Sequence, residues 1–192
     1  TGTNSHGLFV KSGTGSASLT INDASVVANT THTYSGPAGI CVQSSVSATS
    51  SPNLSLAVDG GSLTASGTGN SDGILLYVGS SQATGATTSL TVTDNAIVRA
   101  KNGIKAERVD KPTPSGAGIV FDGGEGTVYG NVTLQKNLII SDGESLTLND
   151  GASLEANGYN VIVDGGTIDD NIKNSLVDSV KYTPTITTTS LP

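Results

Sequence analysis

The feature that most restricts this chain is a ten-residue unit of strand, corner and strand that keeps returning. Its clearest copy is LAVDGGSLTA, from Leu56 to Ala65. Two runs of alternating side chains, L-x-V and L-x-A, flank Asp59-Gly60-Gly61. Alternation over so few residues reads as a half-buried strand, and Asp-Gly-Gly as a tight corner. The unit returns as LTINDASVVA from Leu19, LTVTDNAIVR from Leu90, IVFDGGEGTV from Ile119 and VIVDGGTI from Val161. Such repetition is a reason to consider repeat architectures before any other fold.

A second series completes the period. Short strands led by glycine, G-L-F-V, G-I-C-V, G-I-L-L and G-I-K-A, start at Gly7, Gly39, Gly73 and Gly103, spaced 32, 34 and 30 residues apart. With the glycine-led strand as A, the L-x-V strand as B and the strand after the corner as C, one period holds three strands. Three is the number in one coil of a parallel β-helix. B strands are expected from 19, 56, 90, 119, 138 and 161, and C strands near 26, 63, 97, 128, 146 and 168. The A strands lose regularity after Gly103, with candidates at Val132 and Leu154. The expected fold is therefore all-β, a right-handed parallel β-helix (β-solenoid) of about six three-strand coils, since parallel crossovers are almost always right-handed. A sandwich of antiparallel hairpins would also give short, evenly spaced strands. The likeness of the repeats to one another, with the same corner residues between the same strand types, favours the solenoid.

Composition fits a thin structure. Only 35% of residues are hydrophobic and 4% aromatic, too few to fill a thick globular core, while Gly, Ser, Thr, Asn and Asp are abundant. Disorder is set aside by the regular apolar alternation. A net charge of −7 with only 9 Lys and Arg disfavours nucleic acid or an anionic membrane as partner. No apolar run is long enough to span a membrane as a helix. The single cysteine, Cys41, rules out a disulfide within the chain. The absence of methionine reads as a mature or excised piece of a longer protein.

Alternation assigns faces. Inward positions in B are Leu19/Ile21, Leu56/Val58, Leu90/Val92, Ile119/Phe121, Leu138/Ile140 and Val161/Val163. In A they are Leu8/Val10, Ile40/Val42, Ile74/Leu76 and Ile104/Ala106. Phe9, Cys41, Leu75 and Lys105 then point outward, because a lone buried ammonium would be costly at Lys105. On this reading Cys41 is open to thiol reagents, and Arg99 ends or bulges the third C strand. The A–B loops of the first four coils are long and rich in Ser and Thr, a ledge on one flank, and those of the last two are short.

After Ile168 the pattern changes. Residues 1–168 form the expected β-helix and 169–181 a C-terminal cap. In the cap Asp169-Asp170-Asn171 starts a short helix, with Ile172, Leu176, Val177 and Val180 at helical spacing. Residues 182–192, rich in Thr and Pro, read as a tail or linker. The N-terminal edge carries no cap of its own, and an upstream domain is expected to cover it.

The alternating L-x-V, corner, G-x-L rungs, above all LIISDGESLTLNDGASLEANG at 138–158, resemble the repeats of bacterial cell-surface proteins with a pectate-lyase-like right-handed β-helix. The resemblance spans roughly residues 7 to 168. It implies an extracellular or cell-surface setting, among relatives that include polysaccharide lyases and hydrolases, tailspikes, adhesins, polysaccharide-binding modules and spacers.

The catalytic members set requirements this chain does not meet. Arg99 and Arg108 are the only arginines to serve as a lyase base. Asp169-Asp170 lies beyond the last rung, without the Gly-His-Gly and Arg-x-Lys segments that accompany a hydrolase's Asp pair. A non-enzymatic module is expected. Corner carboxylates suit Ca²⁺, with Asp122, Glu125 and Asp142 as the candidate ligands. The D-G-G order, however, is that of an unassisted turn, and no cofactor is required. Asp59, Asp122 and Asp164 are expected at equivalent corners. Glycan binding would draw on an aromatic platform, for which Tyr34, Tyr77 and Tyr129 are the candidates, Tyr129 on an outward position. Polysaccharide binding through the A–B loops and a structural stalk or adhesin engaging a protein are the two readings that remain. Polysaccharide cleavage ranks below both.

Overall fold

The computed structural model describes residues 6–13, 15–31, 36–45, 51–79 and 85–184. They are mostly β strand, with one short helix near the C-terminus. The first rung is β1 (Leu8–Ser12), β2 (Ala17–Asn22) and β3 (Ser25–Asn29). The second is β4 (Ala38–Ser44), β5 (Asn53–Asp59) and β6 (Ser62–Ser66). The third is β7 (Asp72–Val78) followed by β8 (Thr87–Ala100), which runs as one bent strand through its corner. The bend lies at Asp94 and Asn95, whose positive φ values of 47° and 60° supply the left-handed turn that Gly60 and Gly61 make in the rung before.

Each rung lies on the next in register and in parallel. Leu8, Ile40, Ile74 and β9 (Ile104–Glu107) align through Ile104, and Leu19, Leu56 and Leu90 align in the B ladder. Val26, Leu63 and Val98 align in the C ladder. At Gly7, Gly39 and Gly73, which lead the first three A strands, this closeness excludes a side chain, whereas Gly103 is distinguished by its positive φ of 87°. A Cβ at Gly39 would sit 2.6 Å from Ala28 O and 2.6 Å from Ser66 N, so no side chain fits where the C-to-A corner crosses the neighbouring rung.

The fourth rung departs from the expected register. β10 (Ser115–Asp122) follows the B ladder only at Ser115 and Gly116, opposite Thr91 and Val92. It then crosses a register shift to pair Gly118 with Ala96 and Ile119 with Ile97. The chain has cut the corner that residues 93–95 make in the rung above. Gly116, at φ 101°, makes this passage where a Cβ would fall 2.1 Å from Val92 O. Ile119 and Phe121 are therefore not a fourth B pair, and Asp122 is not equivalent to Asp59. The Asp-Gly-Gly that follows is a hairpin turn, and β11 (Glu125–Tyr129) returns antiparallel to β10 with Asp122 opposite Glu125.

Beyond the hairpin the strands pair in parallel again. β12 (Asn131–Thr133), β13 (Leu138–Ser141) and β14 (Ser145–Leu148) are followed by β15 (Ser153–Glu155), β16 (Val161–Asp164) and β17 (Thr167–Ile168). The ladders are β11–β14–β17, β12–β15 and β13–β16, and β18 (Val180–Tyr182) adds to the last. Tyr182 thus ends a strand rather than opening a linker. Residues 185–192 lie outside the described residues.

Reversal at the hairpin divides the interior. Ala96, Val98, Ala100 and Val120 face the core of the first three rungs. Ile97, Ile119 and Phe121, on the opposite face of the same strands, belong with Val128, Leu138, Ile140 and Val161 in a second core. In place of the single interior expected, there are two cores, on opposite faces of the sheet to which β8 and β10 belong. Arg99 neither ends nor bulges β8. It stays in the ladder opposite Phe121, its guanidinium 4.3 Å over that ring, pairs with Glu144 at 3.1 Å and donates to Ile139 O at 2.8 Å.

The second core is closed by α1 (Asp170–Ser175). Asp169 caps it by accepting from Ile172 N at 2.8 Å, and Ile172 and Leu176 are buried against the core. The helix stops before Val177, which is 72% exposed rather than part of the apolar face.

Candidate functional site

Two cavities combine apolar walls with converging polar groups. The first lies on the outer face of the A ladder, β1–β4–β7–β9. Strand alternation places two columns of side chains there, Phe9, Cys41, Leu75 and Lys105 in one, Lys11, Gln43, Tyr77 and Glu107 in the next. Six of these eight line a cavity of about 430 Å³, joined by His6 and Gly36. His6 stacks on Phe9 with ring centroids 4.8 Å apart and accepts a hydrogen bond from Ala38 N through Nδ1 at 3.0 Å.

Tyr77 is held in place at this cavity by Arg108, whose guanidinium lies over its ring, 5.4 Å from the centroid. Arg108 also donates to Tyr77 Oη at 3.1 Å and to Gly79 O at 2.8 Å. Its backbone adopts a φ of 62°, rare for a residue with a side chain. Lys105 is outward as expected, 3.7 Å from Glu107 and 3.9 Å from Asp72. Burial raises the Asp72 carboxyl above its usual range. Lys105 opposes that shift and Glu107 adds to it.

Cys41 corrects an expectation in one respect. Its side chain lies on the outer face, grouped with Ala38 and Leu75 and apart from the main core, but it is only 1% exposed. Burial pushes its thiol up to about 12. Outward on a strand does not mean open to solvent where further structure lies over the sheet.

The second cavity, about 360 Å³, lies where the first stack meets the hairpin. Its apolar wall is Ile104, Val120, Pro112 and Pro114. Lys111, Thr113, Asp122, Glu125, Thr127 and Tyr129 add polar groups. Asp122 accepts from Ile104 N at 2.7 Å and forms an ion pair with Lys111. Tyr129 faces away from its own core, as expected of an outward position, yet it is half-buried because it packs against the core of the other stack. Burial is the main cause of its raised hydroxyl pKa, with Asp122 adding to the shift and a hydrogen bond with Thr127 and the charge of Lys111 opposing it.

The fold thus brings Asp122, Glu125 and Tyr129 into one cavity and puts Tyr77 in the other. Asp142 is exposed at a different corner and lines neither. Tyr34 lies outside the described residues. Among the described residues no three His, Cys, Asp or Glu side chains are grouped closely enough to hold a metal ion. Comparison with known proteins yields no relative: no family model, no curated protein and no solved structure matches the chain. No described helix is long and apolar enough to cross a membrane.

Phe9, Gln43 and Glu107 are not among the binding candidates read from the sequence, where Phe9 is named only as outward. Their signal was available in the glycine-led strands, where each is the second or fourth residue after the glycine and so shares the outward face.

Proposed function

We propose that this protein is a non-catalytic β-solenoid module, part of a larger bacterial surface protein, that binds polysaccharide on the outer face of its A ladder. The observation that carries the reading is the first cavity. It offers the rings of Phe9 and Tyr77 beside the side chains of Gln43 and Glu107. Sugar rings present apolar faces and hydroxyl rims, and aromatic faces with hydrogen-bonding groups at their edges complement both. The parallel ladders support the solenoid part of the proposal, since each strand type stacks on its own kind in register. The similarity of residues 138–158 to bacterial surface repeats supports the setting.

The test is a glycan-binding screen with and without Ca²⁺, followed by titration of Tyr77→Ala and Phe9→Ala. Loss of an aromatic face should weaken binding about five- to tenfold while circular dichroism stays unchanged. Full binding by both variants would remove the site from this face. No binding to any glycan would favour the stalk or adhesin that engages a protein.

A further inference from the structure

The second cavity has a different character from the first. It is mixed in charge, lined by Lys111, Asp122 and Glu125, whereas the lining of the first carries the single carboxylate of Glu107. Asp122 is committed on both sides, its carboxylate accepting from Ile104 N and pairing with Lys111. Glu125 stands directly across the hairpin, its Cα opposite that of Asp122. Among the described residues no group donates to the Glu125 carboxylate or pairs with it. With Lys111 offset by Asp122, the three charged groups leave one negative charge over, carried by Glu125. A cation therefore suits this cavity better than any other charge type, with the exposed Glu125 carboxylate as its counter-charge. An anion would meet two carboxylates against one ammonium.

The remaining walls define the body that carries the charge. Ile104, Val120, Pro112 and Pro114 are apolar, Tyr129 offers a half-buried ring, and Thr113 and Thr127 supply hydroxyls. A volume of about 360 Å³ lies near the low end for small-ligand pockets, which run from about 300 to 1,000 Å³. It suits a one- or two-ring ligand better than an extended chain. A compact, ring-shaped, hydroxyl-bearing cation is a protonated amino sugar. We infer that the cavity between the hairpin and the Lys111–Pro114 segment is a second, separate binding site for a protonated amino sugar, with Glu125 receiving the ammonium and Tyr129 the ring.

The site is independent of the A-ladder face, and the experiment keeps the two apart. Glucosamine, N-acetylglucosamine and glucose are titrated into the whole isotope-labelled chain while the amide resonances of Thr113, Thr127 and Tyr129 are followed. Glucosamine should shift them, with the other two sugars binding at least about tenfold more weakly, since neither can make the charge-assisted bond. Glu125→Gln, an exposed and nearly isosteric change, should weaken glucosamine about tenfold, and raising the pH until the amine is neutral should do the same. Tyr77→Ala, a change in the other cavity, should leave the glucosamine-induced shifts at these three amides in place. Equal affinity for glucose and glucosamine, undiminished binding by Glu125→Gln, or no shift at these three amides would each overturn the inference.

Discussion

Cys41 shows how one residue's environment can differ from what its strand position implies. Its thiol sits on the outward face of β4 yet is covered, and burial opposes its ionisation. A thiol reagent should leave the native protein unlabelled and react only on unfolding, because the thiolate is the nucleophile. Labelling at the native rate of a free thiol would contradict the burial. The same shift has a pH consequence. The folded pKa of about 12 lies above the ordinary value of 9.0 for a free thiol. As pH rises through the unfolded value, the unfolded chain loses its proton first, so the stabilisation held below that value is lost between the two, by at most about 1.4 kcal/mol per pH unit. Melting temperature should thus fall more steeply above about pH 9 in the parent than in Cys41→Ala, as thermal melts of the two would reveal.

At the scale of elements, the two ends of the molecule are finished differently. β1, β2 and β3 leave the half-buried Leu8, Val10, Leu19 and Val26 at one end of the first core. At the other end α1 and β18 cover the second core, with Ile172 fully buried. Short helices depend on their caps, and Asp169 serves α1 with one carboxylate oxygen while the other accepts from Leu148 N at 3.4 Å. Asp169→Ala should cost about 1 kcal/mol, a drop of roughly 2–4 °C in a chain of this size. Asp170→Ala removes only an exposed contact with Lys173 and should melt with the parent. Equal melting of all three proteins would mean that the cap does not anchor the helix.

For the whole molecule, the shared sheet is the decisive feature. Along β8 and β10, neighbouring side chains serve different interiors, Val120 the first and Phe121 the second. Phe121 is fully buried beneath Arg99. Phe121→Ala should cost about 3–5 kcal/mol, felt first by the stack whose core it fills. Amide exchange should accelerate in β13, β14 and β16 while β4 and β5 keep most of their protection, as stacked elements coupled mainly to their neighbours would. An equal loss of protection in both halves would show that the two cores unfold as one unit.

Much of the local structure was legible in the residues themselves. Strand alternation placed Leu56, Val58, Leu90 and Val92 in one interior, and the glycine-led strands aligned as their spacing required. Asp169 announced its helix, because an N-cap is a local hydrogen bond. The hairpin was not legible, because Asp-Gly-Gly is a tight turn in either setting. At Asp59 it bends the chain to a neighbouring ladder, and at Asp122 it folds the chain back on itself. Which one forms depends on where Ile119 pairs, and that is set by Gly116 slipping past Val92 a rung away. Alternation says that Val120 and Phe121 face opposite ways, but only the tertiary structure supplies a core on each side. The meeting of Asp122, Glu125 and Tyr129 with Lys111 follows from that reversal. The sequence determined the strands, their faces and their turns through local and periodic forces; long-range pairing decided how many interiors they enclose and which polar residues meet between them.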